Sequence, residues 1–482
     1  MIIGGEERPG ASGEERTLLD PATLEPVATT AQATRDDARE AMETAEAAFR
    51  TSGWAGEDGA RRAKALFRWA QLLEESADRF AELESRNQGK TLREAKGDVL
   101  FVVRTLEYVA GLADKLEGET IPVPGARLDL TLREPLGVTV HIAPWNFPLV
   151  LALRSVAPAL AAGNAAVIKP ASLTPLSVLA LARLAGRAGI PPGILNVVAG
   201  PGGAVGEALV EDPRCRAVSF TGGVDVGRRI AELAARRRVP VTLELGGKGP
   251  VLVFPDADLD RAARSIGFGI FGNAGQMCWA GSRLIVHAEV RAPLLERLKA
   301  VAGKLKVGRG TDPGIEMGPL VSSEQKERVL GFIAEARAAG ASAVVGGAPY
   351  ADGALARGHF VPPTILDGVS AGARVLREEV FGPVLAVQEF RSTEEAIALA
   401  NDTPFGLLGS VWTRELATAL PVAQQLEVGM VTVNEPPLTY AQTPFGGFKE
   451  SGLGSEQGRA SVEFYTRRKN VLLGFAAPRP KP

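Results

Sequence analysis

Histidine and cysteine are scarce in this chain, with 3 His and 2 Cys in 482 residues. His141, His287 and His359 lie far apart, and Cys215 and Cys278 form no CxxC pair, so no zinc-ligand spacing is present. A histidine-assisted serine or cysteine triad has no recognisable partner context either. Net charge is equally slight, -2 from 54 Lys+Arg against 56 Asp+Glu, which leaves no electrostatic footprint for nucleic acid. Long apolar runs are missing too. Each one is broken by Pro, Gly or charge before it reaches membrane-span length, and the opening MIIGGEERPGASGEER carries acidic residues where a signal peptide needs an apolar run. These absences, with 45% hydrophobic and 23% charged residues, predict a cytoplasmic globular protein with no membrane or nucleic-acid partner. The length exceeds one ordinary core and predicts two or three domains.

What is present centres on Phe271 to Arg283, FGNAGQMCWAGSR, where Cys278 stands among Gly272, Gly275 and Gly281. Small neighbours let backbone approach a bound molecule, and a thiolate is the most nucleophilic side chain near neutral pH. Free cysteine is also a common small buried hydrophobe, so the residue alone leaves covalent catalysis and plain packing both open. Glu244 closes the apolar run VTLE ahead of Gly246-Gly247. It reads either as a surface acid or as a buried general base with a raised pKa.

The chain in order begins with helices. Thr34-Arg35-Asp36-Asp37 reads as a helix cap, and amphipathic helices are expected near Asp58 to Leu83 and near Leu92 to Leu116. Thr120 to Leu136 alternates polar and apolar residues between prolines, as a projecting hairpin does. From Gly137 strands and helices alternate, which predicts parallel βαβ units and a doubly wound sheet with ligands beyond the C-terminal strand ends. Trp145-Asn146, Lys169-Pro170 and Thr221-Gly222-Gly223 fall at such ends. GPGGAVG at 200 to 206 does not have GxGxxG spacing, so no standard pyrophosphate loop is read there. Beyond Cys278 a second α/β alternation follows, and EFYTRRKNVLLGF reads as a late strand that pairs elsewhere.

PWNFP at 144 to 148, KPAS at 169 to 172, FTGG at 220 to 223, LELGGK at 243 to 248, GQMC at 275 to 278, EEVFGPV at 378 to 384 and PFGGFKESGLG at 444 to 454 together resemble the aldehyde dehydrogenase superfamily. The resemblance runs from Asp20 to about Val471 in the family's order. It implies an α/β fold of three parts. These are a doubly wound parallel-sheet cofactor domain (1–116 and 136–246), an α/β catalytic domain (247–446) and a bridging β oligomerisation arm (117–135 and 462–476). It also implies a homodimer or homotetramer acting on a small-molecule aldehyde.

The resemblance assigns roles residue by residue. Cys278 would attack the aldehyde carbonyl, the Asn146 amide and the Cys278 backbone N–H would hold the oxyanion, and Glu244 would activate the water that releases the acid. Trp145, Lys169, Ser172, Gly222, Gly223, Leu245, Glu379 and Phe381 match cofactor-binding positions, and no metal is implied. The cofactor would be NAD or NADP. Many NAD-preferring relatives have glutamate where this chain has Ser172, so loss of that negative charge predicts acceptance of NADP. Gly223 replaces a commoner serine and removes a hydroxyl contact to the pyrophosphate.

On the substrate side the resemblance points to Phe147, Arg154, Trp279 and Thr439, with Tyr440 as a further aromatic. Relatives that clamp a semialdehyde carboxylate use a second arginine before the NxGQ segment, and Gly272 stands there. RSVAPALAAGN resembles benzaldehyde-type relatives instead. An aromatic or medium-chain aldehyde is therefore expected, with succinic semialdehyde oxidation or CoA acylation as alternatives. CoA-acylating relatives usually lack the glutamate at position 244.

Overall fold

The computed structural model describes residues 1–475. Ala476, the last residue of the expected arm, lies outside them. Two large, mainly parallel sheets and one small antiparallel sheet carry the architecture.

The first sheet has eight strands. At its centre Val138–Ile142 lies between Ala165–Lys169 on one side and Cys215–Thr221 on the other, all parallel. Leu195–Val197 and Val241–Glu244 extend the two wings in parallel. Strand order therefore reverses beside Val138–Ile142, and the crevice beyond that switch point is where such sheets bind ligands. Antiparallel strands close both sides: Ile2–Ile3 pairs with Leu195–Val197, and Gly452–Leu453 pairs with Val241–Glu244. The central strands are buried throughout, as a sheet covered by helices on both faces requires.

The helices covering it follow from their caps and apolar faces. Thr34 and Asp37 form a reciprocal capping box that starts Arg35–Thr51. The single helix expected from Asp58 to Leu83 is two, Gly59–Glu75 and Ala77–Gln88, interrupted at Ser76. The Ser76 side chain makes no capping bond to the second helix, and a one-residue break of this kind leaves the amphipathic pattern unchanged. Leu92–Ala110 ends at Gly111, short of Leu116.

The second sheet has seven strands and centres on Arg283–His287, between Pro250–Val253 and Val384–Phe390. Its helix Leu259–Phe271 leads directly into the Cys278 stretch. In the third sheet Thr466–Gly474 runs antiparallel to Arg127–Pro135 from Thr466 opposite Pro135 to Gly474 opposite Arg127, with Thr120–Ile121 on the far side. Leu132, Leu472 and Leu473 of this ribbon stay exposed.

Candidate active site

Between the two large sheets lies a cavity of about 600 Å³. Trp145, Asn146, Gly222, Gly223, Leu245, Cys278, Glu379 and Phe381 all line it. Trp145 and Asn146 follow the central strand of the first sheet, and Gly222 and Gly223 follow its switch-point neighbour.

The loop that delivers Cys278 is strained. Asn273, Ala274 and Gly275 are all left-handed, with φ 46°, 51° and 72°. Two of the three carry a Cβ, each at a cost of about 1–3 kcal/mol. The surroundings hold them. Glu94 Oε1 accepts from the Asn273 N–H at 2.7 Å, Asn273 Nδ2 donates to the Asn146 carbonyl at 3.0 Å, and Gln276 Oε1 accepts from the Val321 N–H at 2.9 Å. The Asn146 amide donates to the Gln276 carbonyl at 3.0 Å, which ties PWNFP to GQMC. The two required glycines are explained by approach: a Cβ on Gly275 would lie 2.1 Å from the Gly382 oxygen, and one on Gly247 would lie 2.1 Å from the Cys278 oxygen.

Burial disfavours the charged forms of both Cys278 and Glu244. Burial pushes the Cys278 thiol up to about 12, with Arg154 pulling it down and Glu379 and Glu244 adding to the rise. Glu244 is 1% exposed, and neither of its oxygens has a hydrogen-bond partner among the described residues. Burial drives its carboxyl well above the ordinary value, Arg154 opposes this and Glu456 reinforces it. Glu379 is pushed up to about 7 by burial, although its Oε1 accepts from the Gly247 N–H at 2.9 Å.

Comparison with known proteins bears on this geometry. The aldehyde dehydrogenase family model matches residues 8–471. The chain belongs to that family. Betaine aldehyde dehydrogenase of Bacillus subtilis (strain 168) is 40% identical over 473 residues, 98% of this chain and 96% of the relative. Hydroxyisobutyraldehyde dehydrogenase of Mycolicibacterium austroafricanum is 41% identical over 475 residues, 98% of this chain and 94% of the relative. The NAD+ complex of an aldehyde dehydrogenase from Bacillus cereus superposes with a TM-score of 0.96 at 38% identity, covering 99% of this chain and 96% of that one.

The cavity of this aldehyde dehydrogenase fits a dinucleotide. The N-terminus of helix Val224–Arg237 opens onto it at Gly223, where an added Cβ would meet nothing within 4 Å, so a helix end suited to an anion is left open there. Trp145 and Phe381 meet edge to face with centroids 5.2 Å apart. A Cβ on Gly246 would lie 2.6 Å from Glu379 Oε2, so the glycine lets that carboxylate reach the floor. Lys169 and Ser172 do not line the cavity. Lys169 Nζ donates to the Pro170 carbonyl at 2.9 Å and is lowered to about 8 by burial, and the Ser172 hydroxyl donates to the Gly200 carbonyl at 2.7 Å.

The four residues expected around the substrate are not brought together with the cavity lining. Phe147 lies under the Lys90 ammonium, 4.1 Å from its ring centroid, and packs with Trp279 against the core of the second sheet. Thr439 is half-buried, while Tyr440 is 57% exposed. Arg154 is buried and paired with Glu456. Sequence reading missed Gln325 and Arg328. From helix Ser323–Ala338 Gln325 donates to the Phe381 carbonyl at 2.8 Å and Arg328 to the Glu379 carbonyl at 2.8 Å, bracing a loop in which Phe381 has φ 59°. Their helix shows only an amphipathic pattern, which carries no sign of this role.

Proposed function

We propose that this chain oxidises an aromatic or medium-chain aldehyde to its carboxylic acid with NAD or NADP, with Cys278 as nucleophile. The observation that carries this reading is the meeting of Cys278, Asn146 and the Glu379–Phe381 loop at one cavity beyond a topological switch point.

The Cys278 thiol gives its proton to water and its sulfur adds to the aldehyde carbon, the C=O π pair moving onto the oxygen to form the thiohemiacetal. The Asn146 amide and the Cys278 backbone N–H donate to the oxygen as it gains charge. Removing one such donor commonly costs about 10²–10³ in rate. When bound, the dinucleotide supplies the hydride acceptor that turns this adduct into a thioester. Trp145, Leu245, Glu379 and Phe381 would hold its nicotinamide end and Gly222 and Gly223 its phosphates, while Lys169 and Ser172, outside the lining of the cavity, would take its adenosine side. Glu244, once ionised, takes a proton from water as that water attacks the thioester, releasing acid and thiolate. Since burial raises both Cys278 and Glu244, disfavouring the ionised form that each must take, turnover rises with pH. A buried glutamate at 244 favours hydrolysis over transfer to coenzyme A. We assign cofactor binding to the first sheet, the nucleophile to the second, and homodimer or homotetramer formation to the β arm.

Cys278→Ala tests the mechanism: aldehyde-dependent NAD(P)H formation is lost while cofactor binding, read by fluorescence quenching, persists. Full activity in that variant overturns it.

A further inference from the structure

Arg154 is a buried charge that the chemistry above leaves without a task. It projects from helix Pro148–Ala161, whose start adjoins Asn146-Phe147, and its side chain is 4% exposed. Its Nε donates to Glu456, its guanidinium lies over the Phe445 ring at 4.5 Å, and its Nη2 has no partner among the described residues. Glu456 is equally buried. Its Oε1 accepts from the Ser219 hydroxyl at 2.6 Å, its backbone N–H donates to the Phe445 carbonyl at 2.7 Å, and its carbonyl accepts from the Phe445 N–H at 2.8 Å. The pair is thus clamped between the first sheet and the turn after Gly452–Leu453.

A buried ion pair is a poor stabilising device, because desolvating two charges offsets much of their attraction. What surrounds this one gives it another use. Ser219, whose hydroxyl Glu456 accepts, lies opposite Thr242 on the strand that ends at Glu244, which sets the pair beside that carboxyl. There the positive charge of Arg154 favours the ionised forms of Glu244, Cys278 and Tyr465, and Glu456 acts on Glu244 and Tyr465 with the opposite sign. Burial alone would lower the guanidinium, yet Glu456, Glu244 and Cys278 outweigh it and keep Arg154 protonated. Glu379 is the remaining charged group acting on Cys278.

We propose that Arg154, held by Glu456, is a fixed internal positive charge that serves Glu244 and Cys278 and is not a handle for a charged substrate. This rests on the roles given to Glu244 and Cys278 above. Arg154 does not line the main cavity, Glu456 neutralises it, and Gly272 offers no second cation. The substrate class is therefore an aldehyde whose tail carries no carboxylate.

The test uses two pH profiles, acid release from aldehyde and alkylation of Cys278 by iodoacetamide. Arg154→Gln removes the positive charge, so both profiles move to higher pH, by about one unit or more. Glu456→Gln leaves Arg154 unneutralised, so both move to lower pH. The double variant stays near the parent protein and keeps the test alive if a single variant fails to fold; Arg154→Lys, which keeps the charge, shifts less than Arg154→Gln. Unchanged profiles, or shifts of one sign for both single variants, overturn the proposal. Opposite alkylation shifts with an unmoved acid-release profile would overturn the assignment of Glu244 while leaving the effect of Arg154 on Cys278 intact. The ratio of kcat/KM for succinic semialdehyde to that for butyraldehyde is low in the parent and unaltered by Arg154→Gln. A selective loss of the carboxylate-bearing aldehyde in that variant would show a substrate clamp and overturn the specificity reading.

Discussion

Ser172 illustrates how much rests on one side chain. Its hydroxyl proton is already given to the Gly200 carbonyl, so the donor expected for a 2′-phosphate is in use. What favours NADP is then the missing carboxylate alone, since a glutamate there would repel a second phosphate. The expected outcome is measurable turnover with both cofactors, and Ser172→Glu should lower kcat/KM for NADP far more than for NAD. A strong preference of the unaltered protein for NAD would refute this. At this scale the sequence was legible where a motif marks a position, as with Cys278, Asn146 and Glu379, which meet at one cavity. Arg154 was not legible in the same way. Its partner Glu456 is 302 residues away, and nothing local distinguishes a guanidinium bound for solvent or substrate from one destined for a buried pair.

Among elements, the short strand Gly452–Leu453 has the largest effect for its size. It joins the first sheet from a chain segment that has already traversed the second, and Ser451 beside it locks the glycine floor of the cavity. The Ser451 hydroxyl donates to the Gly246 carbonyl at 2.7 Å and accepts from the Gly406 N–H at 2.9 Å, while its carbonyl accepts from the Leu245 N–H at 2.8 Å. Ser451→Ala leaves a buried donor and acceptor unmet, at about 1–3 kcal/mol. A lower thermal midpoint and a higher KM for cofactor should appear together; a fall in the midpoint with cofactor KM unchanged would mean that the floor does not depend on this clamp. Strand–helix alternation predicted both large sheets from sequence. A two-residue strand has no periodicity to read, so this closure was invisible.

For the whole molecule, the antiparallel ribbon carries a group of open apolar side chains. Among the described residues Ile121, Leu132, Leu472, Leu473 and Phe475 are each at least 40% exposed on or beside it. Light scattering should give the mass of a dimer or tetramer for the intact protein, and Leu473→Lys should lower it while the far-UV spectrum is kept. A monomeric parent would remove the ribbon's proposed role. The family resemblance put these two stretches in one β arm, and Arg127–Pro135 pairs with Thr466–Gly474; their own residues called for strands but left the partner of each open.

The late return of Gly452–Leu453 also orders events during synthesis. The ribosome releases Val241–Glu244 and Cys278 well before Ser451, so for that interval the first sheet has an open edge and the Leu245–Gly247 floor lacks its clamp. A chain interrupted before this point carries the thiol and the carboxylate but not the seat that aligns them. Closure of that floor is thereby postponed until Ser451 has emerged, and a fragment that stops short of it lacks the clamp on Leu245 and Gly246.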